Sequence, residues 1–141
     1  MILEDLEKLN PCKEGLLYAK QFFSLQDAWN NCCRSNWMWW FLSQLNKTTP
    51  ELYANYSKAC IERACNSSQL ELNSYMKKVH KLYFYENSNK VASIMGKIIT
   101  NISAHTIASS SIDIVRENVF NLEYKYQASV LRSLVPNPFN E

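Results

Sequence analysis

The stretch SLQDAWNNCCRSNWMWWFLSQL, at residues 24–45, decides the fold of this chain. It holds all four tryptophans and two of the five cysteines within 22 residues. Aromatic side chains bury more apolar surface than other residues and dominate the energetics of cores and interfaces. The stretch therefore predicts either the centre of a hydrophobic core or a partner-binding face. The tryptophans are Trp29, Trp37, Trp39 and Trp40.

The run from Trp37 to Phe41 is apolar on every face of the helix that it predicts. A helix that is apolar all round is normally central and buried. The alternative is that one tryptophan reaches the surface as a binding residue, because tryptophan is enriched at interface hot spots. Trp39 is the candidate for that role, since it is out of phase with Trp37 and Trp40.

Composition favours one helical domain. The chain has 141 residues, of which 47% are hydrophobic and 20% charged, a balance typical of a folded globular protein. Glycine occurs only at Gly15 and Gly96, whereas β architectures and phosphate-binding loops need glycine in tight turns. We therefore predict an all-α fold, a single compact bundle of about six or seven short helices.

Capping signals divide the chain into helices. Ser24 with Asp27, Asn36, Thr49 before Pro50, and Ser68 with Glu71 are predicted helix starts. Two prolines stop the last helix and leave residues 135–141 as an extended tail. Residues 2–9 are predicted to form a short amphipathic turn or helix, and the predicted helices after it cover residues 11–22, 25–33, 37–45, 50–65, 69–85, 91–108 and 112–134. The tail sequence VPNPF either docks on the core or extends to a partner, which makes Phe139 a candidate binding residue.

Charge and hydropathy argue against nucleic acid and membrane partners. The net charge is +2 with basic residues spread along the chain, whereas a nucleic-acid binder usually carries a basic stripe. No run of 18 apolar residues predicts a membrane-spanning helix. The acidic start lacks the pattern of a signal peptide, and an odd number of cysteines fits reduced thiols, so we expect a cytoplasmic protein in a bacterial host.

The cysteines and histidines permit a metal or thiol hypothesis without supporting it. The cysteine pairs are adjacent (Cys32, Cys33) or five apart (Cys60, Cys65), whereas zinc knuckles space two ligands by two to four residues. His80 lies among lysines, and His105 is expected to be half-buried. Because no catalytic motif is present, we expect no enzyme activity, no cofactor and no metal.

Two motifs resemble a known family. They are PCxEGLxY at residues 11–18 and AWxxCxRxxWMxWxL at residues 28–42, and the ending VLRSLVPNPF extends the likeness. These stretches resemble a family of small helical phage and bacterial proteins called immunity proteins. The family's Gly-Asp before the tryptophan is Ser35-Asn36 here, and the alanine-rich sequel after Ala64 is missing. The resemblance implies a binding and neutralising role without supplying a site.

We therefore expect a non-enzymatic, protein-binding inhibitor that acts in phage–bacterium or interbacterial conflict. It would be a phage-encoded anti-defence protein of the anti-CRISPR type, or an immunity protein that blocks a toxin, in each case by direct binding. A composition typical of AT-rich genomes favours the phage version. The alternatives are a helical nucleic-acid-binding regulator and a thiol- or zinc-dependent protein. The candidate partner-binding residues are Trp39, Tyr83, Tyr85, Arg116 and Phe139.

Overall fold

A computed structural model describes residues 1–65, 88–109 and 116–140 of the chain. This part contains seven helices and no strand, which confirms the all-α prediction. The helices are α1 (Leu3–Lys8), α2 (Lys13–Ala19), α3 (Leu25–Asn31), α4 (Ser35–Gln44), α5 (Pro50–Cys65), α6 (Asn89–Ser109) and α7 (Arg116–Leu134). The predicted helix at 69–85 and the predicted helical residues 112–115 lie outside the described residues.

Two predicted caps are confirmed by their hydrogen bonds. The Asp27 backbone N–H donates to Ser24 Oγ over 3.1 Å at the start of α3. The Leu52 backbone N–H donates to Thr49 Oγ1 over 3.1 Å at the start of α5. Each side chain satisfies one of the backbone donors that a first helical turn leaves without a partner.

Two other predicted starts are wrong. Asn36 is not an N-cap, because α4 already begins at Ser35 and the cap position belongs to Arg34, which makes no capping side-chain bond. The Ser35 side chain is drawn into the core, where it bonds α7, and this contact sets the first turn. The helix predicted from Pro11 begins at Lys13 instead, where Cys12 Sγ accepts the Gly15 N–H over 3.4 Å.

Helices α4, α5, α6 and α7 pack together as the centre of the described structure. Pairs of contacting residues give their directions: α5 runs parallel to α6, whereas α4 and α7 run antiparallel to it. For α5 and α6 the pairs are Thr48 with Asn89 and Tyr56 with Thr100. For α4 and α6 they are Trp39 with Gly96 and Ser43 with Ser93, and for α7 and α6 they are Phe120 with His105 and Tyr124 with Asn101.

A glycine allows α4 and α6 to approach closely. Trp39 is only 1% exposed, and its indole lies directly against Gly96. A Cβ at Gly96 would overlap the indole ring, so this position has no room for another residue. The Trp39 indole N–H donates to the Ser93 carbonyl over 2.8 Å, and the ring meets Tyr56 edge-on with centroids 5.0 Å apart. The burial expected of an all-apolar helix is therefore confirmed at Trp39.

The N-terminal helices and the tail cover another side of α4. The ring of Phe41 lies 6.2 Å from Trp29 and 5.5 Å from Phe139, centroid to centroid. The Trp29 indole N–H donates to the Val135 carbonyl over 3.1 Å, and Lys47 donates to the Pro138 and Asn140 carbonyls. Of the two alternatives for the tail, the structure shows the docked one.

None of the helices in the described ranges combines the length and the hydropathy that a membrane crossing needs.

Candidate functional site

Of the five residues predicted to bind a partner, the structure describes the side chains of Trp39 and Phe139, and both line the same cavity. Trp39 is buried against α6, so the prediction that it reaches the surface is wrong: the missing Cβ of Gly96 leaves space that the indole fills. Phe139 is partly exposed and packs on Phe41 within the docked tail. Tyr83, Tyr85 and the side chain of Arg116 lie outside the described residues.

A cavity of about 530 Å³ lies beside α4. Trp37 and Trp40 line it from α4, and Ile94, Lys97 and Asn101 line it from α6. We call these five residues the tryptophan groove. The lining also includes residues of α1, α2 and α3, buried side chains of α4 such as Trp39, and Phe139 of the tail. Its lining is mainly apolar, as is usual for sites that bind ligands or anchor side chains.

Aromatic and cationic neighbours hold Trp37 in the groove. Its ring centroid is 5.7 Å from that of Tyr18, and the Arg34 guanidinium lies 4.6 Å from its centroid. The same guanidinium lies 5.7 Å from the ring of Tyr124 on α7. A guanidinium over an aromatic face is attracted by the ring's quadrupole. These contacts therefore hold the Trp37 ring in one orientation.

Helix α6 presents one face that is not covered by the other described helices. Lys90, Ile94, Lys97, Asn101 and His105 are exposed on it, at intervals of three or four residues that place them on a single face. We call these five residues the α6 face. A second, shallow cavity of about 650 Å³ runs along it and is also lined by residues including Phe120. His105 is exposed here, so the expectation that it is half-buried is wrong.

A buried polar cluster occupies the centre of the four packed helices, and sequence reasoning missed it. It consists of Ser35, Tyr56, Thr100, Ser103 and Gln127, each almost fully buried. Ser35 Oγ donates to Gln127 Oε1 over 2.7 Å, and Gln127 Nε2 donates to Ser103 Oγ over 2.7 Å and to the Thr100 carbonyl over 3.2 Å. These bonds join α4, α6 and α7.

The direction of the Tyr56–Thr100 bond follows from the cluster's geometry. Thr100 Oγ1 donates its single proton to the Gly96 carbonyl over 2.7 Å, so the Tyr56 hydroxyl is the donor in its 2.8 Å bond to Thr100. Polar side chains buried in this way are tolerated because they are hydrogen-bonded to one another. The cluster joins helices and offers no exposed reactive group. No periodicity in the sequence could have separated these residues from solvent-facing ones.

Next to this cluster lies a buried carboxylate. Glu123 is 1% exposed, and its Oε2 accepts the Arg63 Nε–H over 2.7 Å, while the arginine lies 4.1 Å from the Tyr126 ring centroid. Its other oxygen, Oε1, has no hydrogen-bond partner among the described residues. Burial raises the pKa of Glu123, and the bond to Arg63 partly offsets that rise.

The described cysteines differ in exposure. Cys12 and Cys33 are exposed, whereas Cys32 and Cys60 are buried. Burial raises the pKa of Cys60 to about 12, so this thiol stays protonated at neutral pH. Within residues 1–65, 88–109 and 116–140, no three side chains of the His, Cys, Asp or Glu types form a group that could hold a metal ion.

Comparison of the chain with protein-family models, with curated proteins and with solved structures finds no match. The resemblance to immunity proteins therefore stays a prediction that rests on the quoted motifs.

Proposed function

We propose that this protein is a non-enzymatic inhibitor that binds a target protein directly and blocks it in phage–bacterium or interbacterial conflict. The target would be a defence effector, for an anti-CRISPR-type protein, or a toxin, for an immunity protein. Both versions need a stable helical scaffold with one surface that is complementary to the target.

The tryptophan groove is the observation that supports this proposal. Trp37 and Trp40 in its lining are partly exposed, and Ile94, which also lines it, is 50% exposed. Partly exposed tryptophans beside an exposed aliphatic side chain are typical of the hot spots that dominate protein interfaces.

The rigidity of the surroundings adds support. The groove is built on α4 and α6, which are joined beneath it by the Trp39–Gly96 contact and the Trp39–Ser93 hydrogen bond. A surface that is already ordered loses little conformational entropy on binding, so more of the contact energy appears as affinity. Inhibition by direct binding depends on such affinity.

Affinity capture tests the proposal. Tagged wild-type protein and the variants Ile94→Asp and Leu122→Asp would be used to capture partners from lysate of the natural host, with mass spectrometry for identification. Ile94 lies in the groove, whereas Leu122 is a control on α7 that is 61% exposed and lines neither cavity. We expect one stoichiometric protein partner with wild type and with Leu122→Asp, and its loss with Ile94→Asp.

Inhibition must then follow binding. The captured protein's own activity, assayed with and without the purified inhibitor, should fall as the two reach equal concentrations. A partner that is captured equally by Ile94→Asp would place binding elsewhere. A partner whose activity is unaffected would contradict the inhibitory role.

A further inference from the structure

The α6 face has a charge pattern that indicates what its partner looks like. Residues 89–109 contain two lysines and a histidine but no aspartate or glutamate, and among the described residues no acidic side chain lines either cavity. Among the described residues, ion pairs involve Lys8, Lys20 and Arg63, so Lys90 and Lys97 are not neutralised by a described carboxylate. The exposed side of α6 is therefore apolar and cationic.

The spacing along α6 makes this pattern specific. Lys90, Ile94 and Lys97 follow one another at intervals of four and three residues, so an exposed isoleucine lies between two cations on one helical face. The lysines are seven positions apart, which is two helical turns or roughly 10 Å. On the side facing α4, the partly exposed ring of Trp40 continues the apolar surface around Ile94.

The complement of this surface is an acidic amphipathic helix. Such a helix would place an apolar side chain against Ile94 and Trp40, and carboxylates two turns apart beside Lys90 and Lys97. An amphipathic helix that binds in a groove makes its contacts through side chains at i, i+3 or i+4, and i+7. The residues of the α6 face are spaced at the same intervals. Opposite charges at the margins of the contact would fix its register and accelerate association.

Other occupants fit less well. A second copy of this chain, paired symmetrically through this face, would bring its own Lys97 against a cationic, acid-free helix, and like charges in an interface are unfavourable. Nucleic acid would need more cations than two lysines, because contacts to the phosphates supply most of its non-specific affinity.

We infer that the tryptophan groove and the α6 face together bind an acidic amphipathic helix of the partner protein. This inference rests on the proposed function and specifies the chemistry of the partner. It assigns Ile94 and Trp40 to the apolar contact, and Lys90 and Lys97 to pairing with carboxylates.

A displayed library of random peptides about 16 residues long, long enough for four helical turns, tests the inference with a defined probe. It would be selected against wild-type protein, with Ile94→Asp protein as the counter-selection. We expect enriched peptides with Asp or Glu at i and i+7 and an apolar residue at i+3 or i+4. Their affinity, measured by tryptophan fluorescence, should fall by about tenfold with Lys97→Glu and should weaken with added salt. Lys125→Glu, at an exposed site on α7, should change it by less than about twofold.

Several results would overturn the inference. Selected peptides without an acidic bias, affinity that is insensitive to Lys97→Glu, or a library that yields no binders would each do so. A dimer in sedimentation equilibrium that Ile94→Asp dissociates would place a second copy on this face instead. These failures differ from failure of the proposed function. If a partner is captured and inhibited, and its binding needs Ile94 but not Lys97, the inhibitor function stands and the inference of an acidic helix is wrong.

Discussion

Two regions of this molecule reverse the usual distribution of polar and apolar groups. The buried cluster places Ser35, Gln127 and their neighbours in the centre of the four packed helices, whereas the tryptophan groove leaves Trp40 and Ile94 partly in solvent. The cluster is compensated within the chain, because its side chains bond one another. The groove has no such compensation among the described residues. The cluster therefore stabilises the fold, whereas the groove is a surface that can gain free energy by binding a partner.

Helices α4 and α6 contribute to both regions, so the two cannot be explained by different local composition. Helix α4 directs Ser35 into the cluster and Trp40 into the groove, and α6 directs Thr100 inward and Lys97 outward. Since each of these helices contributes to the cluster and to the groove, substitutions on its inward face should lower stability, whereas substitutions on its outward face should weaken binding.

The largest effect is expected at Trp39, and its neighbour Trp40 is the matched control. Trp39→Ala removes a fully buried indole, its bond to Ser93 and its contact with Gly96, and should lower the free energy of unfolding by about 4 kcal/mol. Trp40→Ala removes a partly exposed ring and should cost about 1–2 kcal/mol. Urea denaturation followed by circular dichroism measures both. Similar costs for the two variants would remove the distinction between core and groove.

Peptide binding, unlike stability, should depend strongly on Trp40. Trp40→Ala is expected to weaken the selected peptides by about tenfold or more, as hot-spot tryptophans do. A Trp40→Ala protein that is folded and binds as tightly as wild type would exclude this ring from the interface.

The next effect is expected within the cluster. Gln127→Leu leaves the Ser35 hydroxyl without its acceptor and removes the donor to Ser103 Oγ, and should cost about 2–3 kcal/mol. Ser35→Ala alone should cost less, because it leaves only Gln127 Oε1 without a donor. Adding Ser35→Ala to Gln127→Leu should cost less than the sum of the two single changes, because one unsatisfied group is removed with its partner. Strict additivity in urea denaturation would mean that the two side chains do not interact.

Capping and periodicity predicted most of the fold, and the reasons are local. Ser24 and Thr49 bond backbone N–H groups three residues ahead, so the sequence alone contains that information. Asn36 has an equally good capping side chain, but α4 begins at Ser35, two residues before the predicted start, because the Ser35 side chain bonds Gln127, 92 positions away. A long-range bond of this kind leaves no pattern in the local sequence.

The candidate site was predicted less well for a related reason. Helical phase correctly sets Trp39 apart from Trp37 and Trp40, but it cannot say which side faces solvent. That choice depends on Gly96, whose missing Cβ lets α6 cover Trp39. Glu123 was missed because a glutamate in a polar helix is ordinarily exposed, and its burial depends on Arg63 from another helix. The burial of Trp39 and the burial of Glu123 each depend on a contact with a residue that is distant in sequence.

A pH-dependent effect is expected at the buried ion pair. Arg63→Ala removes the hydrogen bond that holds the Glu123 carboxylate, and should cost about 1–2 kcal/mol at pH 7. The pKa of Glu123 is already raised by burial above its ordinary value of 4.5, and loss of Arg63 should raise it further. A raised carboxyl pKa contributes stability below the unfolded value, and that stability is lost as the pH rises through the folded value.

The cost of Arg63→Ala should therefore be smaller at pH 4 than at pH 7. Denaturation at the two pH values measures it, and Lys58→Ala, an exposed cation on the same helix, is the control. A cost that is independent of pH would mean that Arg63 acts through its packing on Tyr126 rather than through the carboxylate.

The smallest effect is expected at Phe139, and it decides whether the tail belongs to the core or to the groove. Phe139→Ala removes one ring that is partly exposed and lies 5.5 Å from Phe41, so it should cost about 1 kcal/mol in urea denaturation. Phe139 lies on the tail rather than on α6, so the affinity for peptides that contact Ile94 and Lys97 should stay within about twofold of wild type. Unchanged stability with lost binding would instead make Phe139 a binding residue, as its sequence context predicts. The groove would then extend from α6 to the tail, and Phe139 would join Trp40 in contacting the partner.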